Sequence, residues 1–236
     1  MSTNLSGNAL TLNNTSLNGD TLNLINDYYY VPDDCKVGDT VILDGIECLC
    51  VATGVTIQGS NLTRIAVDKN HDLGYYQKYV GINIDGTVIS KITRWRWGGH
   101  GTAIGNNSIE VGYGLQNTIN CLANTVSYTS GTSSSETFNE YKIYPLMWTG
   151  VNDFRASHSD KWFLPSRNEL LNYVHPYKSS LNFDTTTGGP ASYQFWSSTE
   201  RSSNSSNYGL YLTLSSGNYS YALKYNAFAV RLCRAF

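Results

Sequence analysis

Near the end of the chain, Leu210, Leu212 and Leu214 alternate with Gly209, Tyr211 and Thr213. Successive side chains on a strand point to opposite faces, so this pattern calls for a sheet with one buried face and one open face. Ser216-Gly217 marks a turn. Beyond it, Tyr219, Tyr221 and Tyr225 share a parity that aligns them as one aromatic stripe. The competing reading packs that stripe against a neighbouring strand and puts one or two of the tyrosines in the core. Val230 and Leu232 then alternate with Arg231 and Cys233 in a terminal strand.

The residues that fill the open positions are of an unusual kind. Of the 36 residues after Glu200, seven are Ser, four are Asn and five are Tyr; none is acidic and four are basic. The whole chain has 18 Tyr against 7 Phe. A tyrosine offers a rigid apolar ring with a polar tip, so it can stand in solvent and still supply contact area on binding. Tyr, Ser, Gly and Asn together are also the residues of antibody paratopes. The alternative is a half-exposed β-protein that uses Tyr as amphipathic filler. Charged residues make up 14% of the chain, against a usual share of about 25%. The formal net charge of -2 sets up no field to attract phosphates or anionic lipid, so nucleic acid and membrane are not expected partners. No apolar stretch is long enough to span a bilayer. At 236 residues the chain can bury a core without disulfides or a metal.

Upstream, the first thirty residues hold a short repeat, Leu5 to Ser16 followed by Leu17 to Tyr28, with leucines recurring twelve apart. Two such units cannot bury a core alone. They are either an assembly segment or a polar leader. The expected boundaries are residues 1–30 for this segment and residues 31–236 for a single domain. Val37 to Gly54 is a hairpin signal around Asp44-Gly45. A further strand is expected from Leu62 to Val67, and short strands in a Gly-rich stretch from Tyr75 to Tyr128. A helix is expected within Gly112 to Ala123, best patterned from Asn117 onward, and a loop from Thr129 to Thr137. The one clear helix follows Pro165: Ser166 and Glu169 form a capping-box pattern, Leu170, Leu171 and Val174 supply the apolar face, and Pro176 marks the end. A Gly-Gly-Pro loop (Gly188 to Pro190) leads into the remaining strands. The five cysteines are odd in number. Cys48 and Cys50 share a strand face, yet no second Cys or His pair lies near at zinc spacing, so buried free thiols from a reducing cytoplasm are expected.

WFLPSRNELL (Trp162 to Leu171), FWSSTE (Phe195 to Glu200) and the terminal AVRLCRAF form a specific ordered set. It resembles a family of C-type-lectin-like domains found in bacterial surface proteins and phage tail proteins. GYGLQNTINCLA (Gly112 to Ala123) is similar to that family's segment before the WFLPS helix. The resemblance covers Val31 to Phe236 and is strongest from Asp160 onward. It implies an α+β, C-type-lectin-like fold with small twisted antiparallel sheets and one or two helices. One branch of the family is similar to the variable proteins of diversity-generating retroelements, the group to which phage tropism determinants belong. There, templated reverse transcription replaces adenines at selected codons, and Asn codons become Ser, Tyr, Asp, Gly or His on the exposed, receptor-choosing face.

The Ser, Asn and Tyr excess in RSSNSSNYG and GNYSYALKYNAF matches the bias such a process leaves, while the framework keeps its apolar pattern. An ordinary surface hairpin is the competing explanation. The variable region is expected at about 193–236, and its expected ligand contacts are Ser203, Asn204, Ser206, Asn207, Tyr208, Tyr211, Asn218, Tyr219, Tyr221, Tyr225, Asn226 and Phe228. Trp162 and Trp196 are expected in the framework. Glu200 is expected to bond a turn or to pair with Arg231 or Arg234, a modest contribution if exposed.

Catalytic chemistry finds no support. The four histidines are scattered, GGHG (Gly98 to Gly101) lacks the Lys and Ser/Thr of a phosphate loop and marks a turn, and no G-x-S-x-G elbow occurs. The oxidases of the same broad fold use a late cysteine pair, whereas Cys233 stands alone. The acidic-Pro-acidic motif of calcium lectins is absent from the C-terminal region. The expectation is therefore a binding protein, not an enzyme, with no cofactor and no metal. Its expected partners are a protein or glycan receptor on a host cell surface, phage tail proteins, and copies of itself in a homo-oligomer such as a trimer. No secretion signal is recognisable before Tyr30. The expected location is a phage virion tail, made in the bacterial cytoplasm; the alternative is a fixed adhesin on a bacterial surface or a structural tail protein.

Overall fold

A computed structural model of the chain describes residues 31–69 (Asp33 apart), 81–82, 88–89, 94–124 (Asn107 apart), 146–181 and 194–236. The N-terminal repeat and the loops at Thr129 to Thr137 and Gly188 to Pro190 lie outside these residues. The architecture is mixed α+β. It begins with a hairpin of β1 (Thr40–Leu43) and β2 (Ile46–Ala52). The linking Asp44 and Gly45 have φ of 53° and 78°, the two positive values that a tight turn matching strand twist requires. β3 (Ile65–Asp68) pairs with β2, and β12 (Cys233–Ala235) lies between β3 and β7 (Trp162–Phe163). All of these pairings are antiparallel.

Apart from its edge strand β1, this five-stranded sheet is buried on both faces. Cys48, Cys50, Ala66 and Trp162 pack into one core; Leu49, Val51, Ile65, Val67 and Phe163 pack into the other. The terminal strand expected over Val230 to Cys233 begins only at Cys233, with Val230, Arg231 and Leu232 outside it, and all four residues are buried. Arg231 and Arg234 are buried, with their guanidinium groups bonded inside. Arg231 Nη1 donates to the Asp68 carbonyl at 2.7 Å, and Arg234 Nε donates to Asp44 Oδ2 at 2.7 Å. The Trp162 indole donates to the same Asp44 oxygen at 2.8 Å, so the first hairpin turn is tied to the last strand.

Three helices lie among the described residues, one more than expected. α1 (Gly114–Ala123) starts three residues before its better-patterned half. α2 (Met147–Ser157) was not anticipated; it buries Met147, Trp148, Val151 and Phe154. α3 (Arg167–Glu169) opens with the expected capping box, but continues as a π turn over Leu170–Val174 and a 3₁₀ turn over His175–Tyr177. Pro176 sits inside that last turn rather than ending a regular helix, since proline at the start of a turn has no N–H that needs a partner.

Glu169 binds two of these helices together. Its carboxylate accepts the Ser166 N–H at 2.7 Å, closing the α3 box, and the Gly112 N–H at 2.8 Å ahead of α1. A Cβ on Gly114 would stand 2.1 Å from Glu169 Oε2 and 2.8 Å from the Phe163 ring, so only glycine permits this approach. Burial pushes the Glu169 carboxyl up to about 7, and the N–H donors offset only part of that rise.

The remaining strands carry the C-terminal pattern. β8 (Gln194–Glu200), β9 (Tyr208–Thr213) and β10 (Tyr219–Leu223) form a separate antiparallel sheet in the order β10-β9-β8. β6 (Trp95–Arg96) pairs with β11 (Ala227–Phe228), and β4 (Gly81–Ile82) pairs with β5 (Val88–Ile89).

Candidate ligand-binding surface

The register of the C-terminal sheet sorts its side chains into two faces. Leu212 lies opposite both Phe195 and Tyr219, and Leu210 lies opposite Tyr221. Residues directly opposite one another share a face. One face therefore carries Phe195, Leu210 and Leu212, with Tyr219 and Tyr221 extending it onto the edge strand. The other carries Trp196, Tyr211, Gly209 and Ala222. Trp196 is fully buried, as is Trp162, both in the framework role expected of them. Gly209 is needed for this packing, because a Cβ there would reach within 3.0 Å of the Trp97 ring and 3.2 Å of the Trp196 ring.

The twelve expected contact residues fall into four groups, the last being Asn204, Ser206 and Asn207 in the turn over residues 201–208. Tyr219 and Tyr221 are 52% and 45% exposed, whereas almost every large apolar side chain around them is buried. Tyr208 meets Tyr221 edge-on at 5.3 Å, and Asn218 and Ser203 stand exposed nearby in the chain. The second group is on the opposite face. Tyr211 and Phe228 are half-buried, 4.7 Å apart, and Phe228 lies 4.4 Å from Trp196. The third follows the end of β10, where Tyr225 leaves the stripe and meets His100 at 5.0 Å. Asn226 closes the turn, its N–H donating to the Leu223 carbonyl at 2.8 Å.

The turn over residues 201–208 is held by its own polar groups. The Asn204 carbonyl accepts from Asn207 and Tyr208, and Asn204 Oδ1 accepts from the Ser206 hydroxyl at 3.2 Å. The Ser206 carbonyl accepts the Gly101 N–H at 2.8 Å, which brings the GGHG segment against this turn. The Asn207 carbonyl accepts the Lys224 N–H at 2.9 Å. Asn204, Ser206 and Asn207 thus combine backbone scaffolding with half-exposed side chains.

Beneath this turn is a buried ion pair. Lys224 Nζ lies 2.6 Å from Glu200 Oε1, and both side chains are 0% exposed. Of the two roles expected of Glu200, bonding a turn holds and pairing with Arg231 or Arg234 does not: Arg231 donates to the Asp68 backbone carbonyl and Arg234 pairs with the Asp44 carboxylate. Glu200 also accepts the N–H groups of Ile104, Gly105 and Asn106 at 2.9 to 3.1 Å, and Lys224 donates to the Thr102 carbonyl at 2.8 Å. Burial lowers the Lys224 pKa, against the opposing pull of Glu200. The pair fixes the loop over residues 98–106, β8 and the end of β10 relative to one another. Ser197, Ser198 and Thr199 are fully buried as well; Ser197 Oγ donates to the Leu210 carbonyl and Thr199 Oγ1 to the Ser108 carbonyl.

Two further residues join the surface. The Arg201 guanidinium carbon lies 3.5 Å over the Tyr221 ring, and that of Arg167 lies 4.1 Å over the Tyr219 ring. Arg201 directly follows FWSSTE, so its proximity in sequence was a usable signal. Arg167 reaches the site only because α3 docks beside β9, and nothing local announces that. The GGHG segment forms the expected turn, and that turn brings the His100 ring to Tyr225. Burial, then the nearby Lys224 charge, lowers the His100 pKa.

Among the described residues, no group of three or more His, Cys, Asp or Glu could hold a metal ion, and no helix is long and apolar enough to cross a membrane. All five cysteines are free and buried. The sequence matches no protein-family model, and a search of curated proteins gives no matching relative.

Proposed function

We propose that this chain is a noncovalent receptor-binding protein built on a C-type-lectin-like domain, whose C-terminal surface is diversified by a retroelement. The observation that carries the reading is the separation within a single short segment. Ser, Asn and Tyr occupy the exposed positions of residues 201–228, while Trp196, Glu200, Leu210, Leu212 and Lys224 beneath them are buried and bonded. A surface that must change identity needs a core indifferent to it. Exposed tyrosines then act as rigid anchors and Ser/Asn as adaptable hydrogen-bonding groups. Weak binding per copy becomes useful on a multivalent particle, which fits attachment of a phage tail to its host.

The test is binding of the fluorescently labelled full chain to a panel of bacterial strains. The double variant Tyr219→Ser/Tyr221→Ser is expected to keep its melting temperature and to lose or change the set of strains bound. An unchanged set would remove this surface from recognition.

A further inference from the structure

β10 is an edge strand: among the described residues it pairs only with β9. Hydrogen-bond parity shows which of its backbone groups are left over. The Thr213 N–H donates to the Asn218 carbonyl at 2.8 Å, and the Lys224 N–H donates to the Asn207 carbonyl at 2.9 Å. Residues two apart on an antiparallel strand bond to the same side. The even-numbered residues from Asn218 to Lys224 thus face β9, and Tyr219 and Tyr221 turn their N–H and C=O groups away from it. Unpaired edges are normally blunted by a charge, a proline or a bulge. β10, with the sequence YSYAL, contains none of these.

The same two residues carry the stacked arginines. Neither Arg167 nor Arg201 forms an ion pair among the described residues. The Arg167 guanidinium donates to Asn168 Oδ1, a neutral acceptor. Glu110, the nearby carboxylate, is in contact with Asn168 Nδ2 at 3.5 Å and not with Arg167. No acidic residue follows Glu200 in sequence, and Glu200 itself is buried against Lys224. The edge therefore joins two backbone positions, two residues apart, that point away from β9 to two arginines with no ion pair among the described residues.

We propose that this edge takes an extended acidic peptide by strand addition. The peptide pairs its backbone with Tyr219 and Tyr221, and places carboxylates at positions i and i+2 against Arg201 and Arg167. Two residues of a strand span about 6.8 Å, so alternate side chains of the incoming strand fall beside the two rings. Strand addition is an established mode of peptide recognition in which the edge supplies affinity and alternate side chains supply specificity. An anionic glycan would meet the arginines but leave the alternating donors and acceptors unmatched. A second copy of β10 would bring four arginines together. The inference rests on reading this surface as the ligand site, and adds the class of ligand.

The experiment is titration of the full chain with acetyl-Thr-Glu-Thr-Glu-Thr-Glu-amide, followed by NMR or calorimetry. Replacing Glu by Gln in the peptide is expected to weaken binding by roughly tenfold or more, as is the double variant Arg167→Gln/Arg201→Gln. Both arginines are half-exposed, and an unchanged melting temperature confirms the fold of the variant. A residue opposite Tyr219 shares its face and points its N–H at β10. N-methylation of the Glu residues should therefore abolish binding, and N-methylation of the Thr residues should not. No binding of the Glu peptide overturns the proposal. So does binding indifferent to the methylation pattern, equal competition by polygalacturonate, or self-association through β10. These readouts are separate from strain recognition by the tyrosine variant, so either idea can fail alone.

Discussion

Glu169 and Gly114 show how single residues set the frame that holds the surface. The Glu169 carboxyl titrates at about 7 in the fold, against an ordinary 4.5. The folded protein thus holds this proton more tightly than the unfolded chain. That contribution to stability is complete below pH 4.5 and is lost as pH rises to 7, by about 3 kcal/mol. Denaturant unfolding at pH 4.5 and 7.5 is expected to show this loss in the native protein relative to Glu169→Gln; parallel pH profiles would contradict it. Gly114→Ala drives a methyl into Glu169 and Phe163, and is expected to destabilise by about 1–3 kcal/mol, the usual cost of overpacking. By contrast, Tyr219→Ala and Tyr221→Ala remove exposed rings, and each is expected to change stability by about 0.5 kcal/mol or less.

Among the elements, the loop over residues 98–106, β8 and β10 depend on one another through the Glu200–Lys224 pair. Lys224→Met leaves Glu200 buried without its cation and is expected to cost about 3–5 kcal/mol. Glu200→Gln in that background should restore a large part, so a double-mutant cycle shows strong coupling; additive losses would argue against a shared buried pair. Locally encoded features were legible in the sequence. Asp44-Gly45 makes its turn through backbone preference, Ser166 and Glu169 are three residues apart, and the leucines of β9 alternate into the core. α2 was missed although Met147, Val151 and Phe154 follow helical spacing, because Gly150 and a polar C-terminal half dilute the signal. The burial of Arg231 and Arg234 was not legible, since Asp44 and Asp68 lie far off in the chain. Nor was the split of Tyr211 from Tyr219 and Tyr221, which depends on strand register rather than on parity within one strand.

At the scale of the molecule, a double-sided core with no disulfide supports a C-terminal sheet whose exposed positions are Ser, Asn and Tyr. Burial raises the thiols of Cys48, Cys233 and Cys50, the last to about 12. The native protein is therefore expected to react slowly with a disulfide reagent, and to titrate five thiols after unfolding. A fast-reacting thiol in the native state would place a cysteine at the surface. The central claim is that the exposed Ser, Asn and Tyr positions are rewritten while the framework is kept, and DNA sequencing of the locus in related isolates tests it most directly. The account predicts a near-copy of the last hundred or so bases beside a reverse-transcriptase gene, with differences confined to template adenines and to codons such as those of Asn218, Tyr219 and Tyr221. Uniform variation across framework and surface, or no repeat, would contradict it and leave a fixed lectin-like adhesin or tail protein.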